Sequence, residues 1–101
     1  MDTTQGISLG QIVKSKAGRD KDKVFIVVDI IDDQFVLICD GDLRRIDKAK
    51  KKKIKHLAVY NLVSQEVKKR VEKNEKISNL LLRRELEKLD LASQGIGGLI
   101  S

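Results

Sequence analysis

The sequence predicts a mainly β fold, in which a small, strongly twisted five-stranded barrel is followed by two short C-terminal α-helices. Two observations lead to this prediction. Short apolar segments rich in β-branched residues recur between turn-forming residues over positions 7–60, which is typical of strands. Beyond position 63 the apolar residues recur at helical spacing. We therefore divide the chain into a barrel at 1–62, a helical extension at 63–92 and a flexible tail at 93–101.

The first three strands come from the apolar segments before position 40. The predicted order is a strand at 7–16, a loop at 17–23, a strand at 24–31, a tight turn at 32–34 and a returning strand at 35–39. Gly10 marks a bend in the first strand. The segment at 24–31 is almost continuously apolar and too short for a typical helix, so it is predicted as a buried strand. Asp32 and Asp33 favour the turn because their side chains bond the local backbone.

The remaining strands are expected around the basic segment. Asp40-Gly41 is a hairpin signal and predicts a second turn at 40–42. A short strand is predicted at 43–47, with Leu43 and Ile46 facing inward. A charged loop at 48–53 and a closing strand at 54–60 then complete the barrel.

Two helices are predicted after the barrel. Ser64 is placed as the N-cap of a helix at 64–73, and Ser78 as the cap of a second helix at 79–91. In the second helix Leu82, Leu86 and Leu89 form one apolar stripe. Two surfaces could cover this stripe: the chain's own barrel, or a protein partner or second copy.

Composition narrows the classes of function. The 101 residues carry a formal net charge of +6, which favours phosphate-rich partners, although simple solubility is the alternative. The sequence has no apolar window long enough to span a membrane and no secretory signal pattern. A single cysteine excludes an internal disulfide framework. We expect a cytoplasmic protein without a membrane partner.

Two clusters of basic residues are the candidate binding elements. The longer one is opposed only by Asp47 and comprises Arg44, Arg45, Lys48, Lys50, Lys51, Lys52, Lys53 and Lys55. Such density favours a phosphate backbone, with a solvated charged loop as the alternative. In the first loop Asp20 and Asp22 interrupt the basic residues Lys14, Lys16, Arg19, Lys21 and Lys23. If both loops converge on one rim of the barrel, they form a single electropositive edge, whereas the first loop alone is equally typical of a solvated turn.

Residues typical of enzymes are sparse. Cys39 lies within an apolar strand, and His56 is the only histidine, so neither belongs to a recognisable nucleophile or metal pattern. Asp32 and Asp33 are better explained by a turn than by acid–base or metal chemistry. The sequence therefore predicts a non-enzymatic protein with no cofactor and no metal site. A chance meeting of Cys39 and His56 in space is the remaining enzymatic alternative.

With these segments placed, the chain resembles the KOW family of SH3-like barrels. The resemblance extends to archaeal and eukaryotic-type large-subunit ribosomal protein fourteen and to bacterial KOW-containing RNA-binding proteins. It covers residues 7–60 and rests on LGQIV, the Gly18-Arg19 pair, VVDIIDDQFVL and the basic KKKKIKHL.

The resemblance implies a five-stranded SH3-like (KOW) barrel that binds RNA, with ribosomal RNA as partner and a ribosome-associated, cytoplasmic location. The contacts that it implies are Lys16, Gly18, Arg19, Lys51, Lys52, Lys53 and His56. The density of charge adds Lys21, Arg44, Arg45, Lys50 and Lys55. The alternative function is a protein-interaction module that acts in transcription elongation or as a ribosome accessory factor.

Overall fold

The computed structural model describes residues 7–96. Its strands are β1 (Gln11–Ser15), β2 (Val24–Ile30), β3 (Phe35–Cys39), β4 (Lys50–Lys53) and β5 (Leu57–Val63), and its helices are α1 (Gln65–Glu72) and α2 (Asn79–Ile96). Every strand pairing is antiparallel, and the sheet order is β4–β3–β2–β1–β5. The predicted five-stranded, mainly β fold with two C-terminal helices is thereby confirmed. Of the predicted tail at 93–101, residues 93–96 belong to α2 and residues 97–101 lie outside the described residues.

Alternation of side chains gives the sheet two apolar faces. The inner face carries one buried cluster, made of Ile7, Val13, Phe25, Val27, Val36, Ile38, Leu57 and Val59. The opposite, helix-covered face carries a second cluster, in which Ile12, Ile26, Val28 and Cys39 meet Val67, Ile77 and Leu82 from the helical region. Both faces of the sheet are therefore buried, which explains why β2 is almost continuously apolar.

The sheet is strongly curved. In a flat sheet β3 and β5 would lie about 14 Å apart, yet Val36 and Leu57 belong to the same buried cluster. Moreover, the last residues of β4 and the first residues of β1 lie at one end of the sheet. The first residues of β5 lie at the opposite end, beside the last residues of β1. Only the short 3-10 helix Ile54–His56 connects β4 to β5, and the four steps from Lys53 to Leu57 reach about 14 Å at most, less than the roughly 19 Å between these strands in a flat sheet. The two edges thus approach each other, while closure of the barrel by pairing of β4 with β5 stays a prediction.

The turns before and after β3 form as local chemistry predicts. The Asp32 carboxylate accepts hydrogen bonds from the backbone N–H groups of Gln34 and Phe35, at 2.8 and 2.9 Å. The predicted Asp turn is therefore confirmed. After β3, Gly41 adopts a φ of +81°, a conformation that side-chain-bearing residues rarely adopt.

The strand predicted at 43–47 is wrong. Asp40 accepts hydrogen bonds from the N–H groups of Asp42 and Arg44, and the N–H groups of Asp40 and Gly41 both bond the Arg44 carbonyl. These local bonds use the backbone groups that a strand would present to a neighbour. Leu43, predicted to face inward, is 55% exposed. A short 3-10 helix at Ile46–Lys48 follows instead.

The prediction of a charged loop at 48–53 is also wrong. Its last four residues form β4, which pairs with β3 in the register Phe35↔Lys53. Lysine is a poor strand former, but β4 lies at an edge of the sheet, where lysine is common because it discourages pairing with other chains. The closing strand correspondingly begins at Leu57 rather than at 54 and continues to Val63.

The helices begin at the predicted caps. The Ser64 hydroxyl accepts the Val67 N–H, and the Ser78 hydroxyl accepts the Leu81 N–H. The Ser64 hydroxyl also donates to the Glu85 carboxylate at 2.7 Å and so ties the start of α1 to α2.

The leucine stripe of α2 packs on the chain's own sheet. Leu82 is fully buried in the helix-covered cluster, and Leu86 and Leu89 pack against it. The sequence left two possible partners for the stripe, and the structure shows that the chain's own sheet covers it.

Candidate nucleic-acid interface

The first basic loop (residues 16–23) is closed by hydrogen bonds at its base. The Ser15 N–H donates to the Lys23 carbonyl at 2.9 Å, and the Asp22 N–H donates to the Ser15 carbonyl at 2.8 Å. The Lys16 N–H donates to the His56 carbonyl at 2.9 Å, which fastens the loop to the start of β5. Gly18 turns the chain with a φ of +79°. The loop thus has a defined path despite its polar sequence.

Asp20 joins the two basic segments. Its side chain is only 6% exposed and lies 3.1 Å from both Arg44 Nη2 and Lys50 Nζ. Burial alone would raise the pKa of Asp20, but hydrogen bonds and charges from Lys50 and Arg44 outweigh it and hold the pKa below the ordinary value of 3.8. The two basic segments therefore meet at one edge, as predicted, and a buried carboxylate lies between them.

Lys52 makes a third contact between the segments. Its side chain is buried, and its ammonium group donates to the Ala17 carbonyl at 3.0 Å. The same ammonium lies 3.5 Å from the position that a Cβ on Gly18 would occupy. Lys52, Lys50 and Arg44 thus hold the first basic loop in place, and their contact with RNA stays a prediction.

The exposed cations of residues 16–23 and 44–48 define the basic rim. Its members are the exposed side chains of Lys16, Arg19, Lys21, Lys23, Arg45 and Lys48. No intramolecular ion pair is recorded for any of them among the described residues. The rim therefore presents six cations without an ion-pair partner to an external polyanion, beside the exposed acids Asp22 and Asp47 of the same segments.

The odd-numbered lysines of β4 project to the other side of the strand. Lys51 Nζ lies 4.5 Å and Lys53 Nζ 5.9 Å from the centroid of the Phe35 ring, which places both within cation–π range. Alternation along β4 thus separates the lysine run into residues that anchor the loop and residues that cover Phe35.

An open groove of about 550 Å³ lies beside this lysine pair. Its walls are Asp33 and Gln34 from the β2–β3 turn, Lys53 at the end of β4, and Ile54 and Lys55 directly after it. The Ile54 N–H donates to the Gln34 carbonyl at 2.8 Å and holds the two walls together. No local sequence pattern predicts this groove, because its walls are 19 or more residues apart in the chain.

Cys39, the candidate nucleophile of the enzymatic alternative, lies inside the fold. Cys39 is fully buried, and burial together with the nearby Asp40 charge raises the pKa of its thiol to about 12. A thiol in this state is a poor nucleophile. Over the described part of the chain, no three His, Cys, Asp or Glu residues are grouped as metal ligands would be.

Within residues 7–96 no helix is long and apolar enough to cross a membrane.

Comparison with known proteins does not supply a family. No family model and no curated protein matches the chain.

Proposed function

We propose that the protein is a non-enzymatic RNA-binding protein that contacts structured RNA through the basic rim. One observation carries the proposal, namely that a buried Asp20 holds the first basic loop against Arg44 and Lys50, while six other cations of residues 16–23 and 44–48 stay exposed. Phosphate groups bound there would release condensed counterions, which is the main source of affinity for nucleic acids.

Ordering of the loop distinguishes this rim from a merely soluble surface. A flexible charged loop loses conformational entropy when it binds, whereas internal contacts of Asp20 and Lys52 have already restricted this one. Contacts from lysine and arginine to phosphates would supply affinity without reading the base sequence. Recognition of RNA shape would supply the specificity, as is common for double-stranded RNA. The resemblance to KOW proteins favours ribosomal RNA, and hence a ribosome-associated location in the cytoplasm.

Replacing both Arg19 and Lys21 with alanine is expected to weaken binding to a fluorescein-labelled RNA hairpin about tenfold. Each lost phosphate contact also removes about one unit from the slope of log K against log [KCl], so the slope should fall by about two. Fluorescence anisotropy between about 50 and 200 mM KCl measures both quantities.

A matched control lowers the net charge by the same amount at α1 and its C-cap. Lys69 and Lys73 are both exposed and belong to neither basic segment. Their double alanine variant should bind RNA nearly as tightly as the wild-type protein. Equal losses in the two double variants, or wild-type binding that does not respond to salt, would contradict the proposal.

The same variants test association with ribosomes. Wild-type protein is expected to co-sediment with large ribosomal subunits in a sucrose gradient at low salt and to leave them at high salt. The variant lacking Arg19 and Lys21 should sediment as free protein even at low salt. Sedimentation of wild-type protein with RNA polymerase instead would favour the alternative of a transcription factor.

A further inference from the structure

We propose that the groove formed by the β2–β3 turn and residues 53–55 binds an unpaired guanine nucleotide of the RNA. This inference rests on the proposed RNA-binding function and adds base specificity to it. The groove lies outside the basic rim, so rim contacts alone do not account for it.

The groove is formed before any ligand arrives. Asp32 fixes the turn by accepting the N–H groups of Gln34 and Phe35, and the Gln34 carbonyl accepts the Ile54 N–H from the opposite wall. The volume of about 550 Å³ lies within the range of ordinary small-molecule sites. A nucleotide therefore meets walls whose backbone is already hydrogen-bonded.

The walls combine the three kinds of surface that a nucleotide needs. Ile54 and the aliphatic stems of the two lysines offer apolar surface for the face of a base. The ammonium groups of Lys53 and Lys55 offer charge for its phosphates. Asp33 and Gln34 offer polar side chains for which no hydrogen-bond partner is recorded within the described residues.

Asp33 favours guanine over the other bases. An ionised carboxylate only accepts hydrogen bonds, and it accepts two side by side. Guanine presents two adjacent donors, N1–H and N2–H, on its Watson–Crick edge. Adenine, cytosine and uracil each place an acceptor beside their donor on that edge. A carboxylate in the wall therefore pairs fully with guanine and meets a repelling acceptor in the others.

The groove adjoins the surface proposed to hold the RNA backbone. Lys55 precedes His56, whose carbonyl accepts the N–H of Lys16 in the rim. Lys53 follows Lys52, whose ammonium reaches the Ala17 carbonyl at the base of the first loop. A strand bound along the rim thus has a short path to the groove. Because unpaired nucleotides in bulges expose their Watson–Crick edges, a bulged base is the chemical form that fits.

The test uses five RNA hairpins with one stem sequence, of which four carry a single-nucleotide bulge of G, A, C or U and one has none. In anisotropy titrations the wild-type protein is expected to bind the G-bulged hairpin about tenfold more tightly than the others. Asp33→Asn should lose this preference, since an amide presents a donor beside its acceptor. The affinity of this variant for the unbulged hairpin should be unchanged or slightly higher, because it loses a negative charge.

Asp42→Asn is the matched control. Asp42 is an exposed acid in the turn after β3, so its replacement changes net charge equally without altering the groove. This variant should keep the preference for guanine. Equal binding of all five hairpins, with a steep response to salt, would overturn the groove proposal and leave RNA binding by the rim intact. Failure to bind any hairpin would overturn both.

Discussion

Replacing Gly41 with alanine is expected to destabilise the fold by about 3 kcal/mol or more. Gly41 has a φ of +81°, which costs a side-chain-bearing residue about 1–2 kcal/mol. A Cβ at this position would also collide with the backbone carbonyl of Asn79 and lie 3.1 Å from the Leu82 Cβ. The start of α2 must then move away from the sheet, at a cost of about 1–3 kcal/mol. Urea denaturation followed by circular dichroism measures the loss.

Gly18→Ala separates backbone strain from collision. Gly18 has nearly the same φ, +79°, but a Cβ there would meet only the Lys52 ammonium, at 3.5 Å. This variant should lose about 1–2 kcal/mol from strain alone. A loss as large as that of Gly41→Ala would mean that the contact of Gly41 with α2 is unimportant.

Replacing Asp20 with alanine is expected to cost about 2 kcal/mol of stability. Removing one partner of a fully buried ion pair costs about 3–5 kcal/mol, but Arg44 and Lys50 are about a third exposed and regain some hydration. The contribution should also depend on pH. Because the folded-state pKa lies below 3.8, the stabilisation is complete above about pH 4 and is lost as the pH falls through the folded-state pKa. Thermal denaturation from pH 7 downward should therefore bring wild type and variant together in acid.

The effect of Asp20→Asn on RNA binding shows whether the affinity depends on net charge alone or also on the fixed conformation of the first basic loop. Deleting a negative charge near the rim should tighten RNA binding if simple attraction governs affinity. If the ion pairs keep the first loop in its binding conformation, the same change should weaken binding instead. We expect about fivefold weaker binding to the unbulged hairpin, with Asp42→Asn as the control of equal charge. Tighter binding by Asp20→Asn would show that the loop needs no ordering.

Parts of the fold governed by neighbouring residues were predictable from the sequence. The strand at 35–39 was predicted with its observed bounds, because apolar and β-branched residues lie between an Asp turn and an Asp-Gly turn. The caps Ser64 and Ser78 were likewise predictable from local spacing. The largest errors fall between 43 and 56, where backbone bonding by Asp40 and pairing with β3 overrode the charge pattern. Elsewhere only the ends of predicted elements differ from the observed ones, as where α2 continues to Ile96.

The sequence predicts which cations belong to the site, but it does not predict how their side chains are arranged in space. Composition identifies the basic residues, yet it does not distinguish Lys52, which faces the first loop, from Lys51, which covers Phe35. That distinction depends on the strand character of β4, which the sequence obscured. The role of Asp20 depends on partners 24 and 30 residues away, so the only local signal was an acid within a basic loop.

Four consecutive lysines on β4 also bear on how copies of the protein meet. β4 is an edge strand, whose outer backbone groups would otherwise invite a strand from another molecule. Two copies that joined along β4 would bring lysine against lysine over its whole length, and the resulting repulsion opposes fibril-like growth. The same segment therefore disfavours pairing between copies of the protein along this edge.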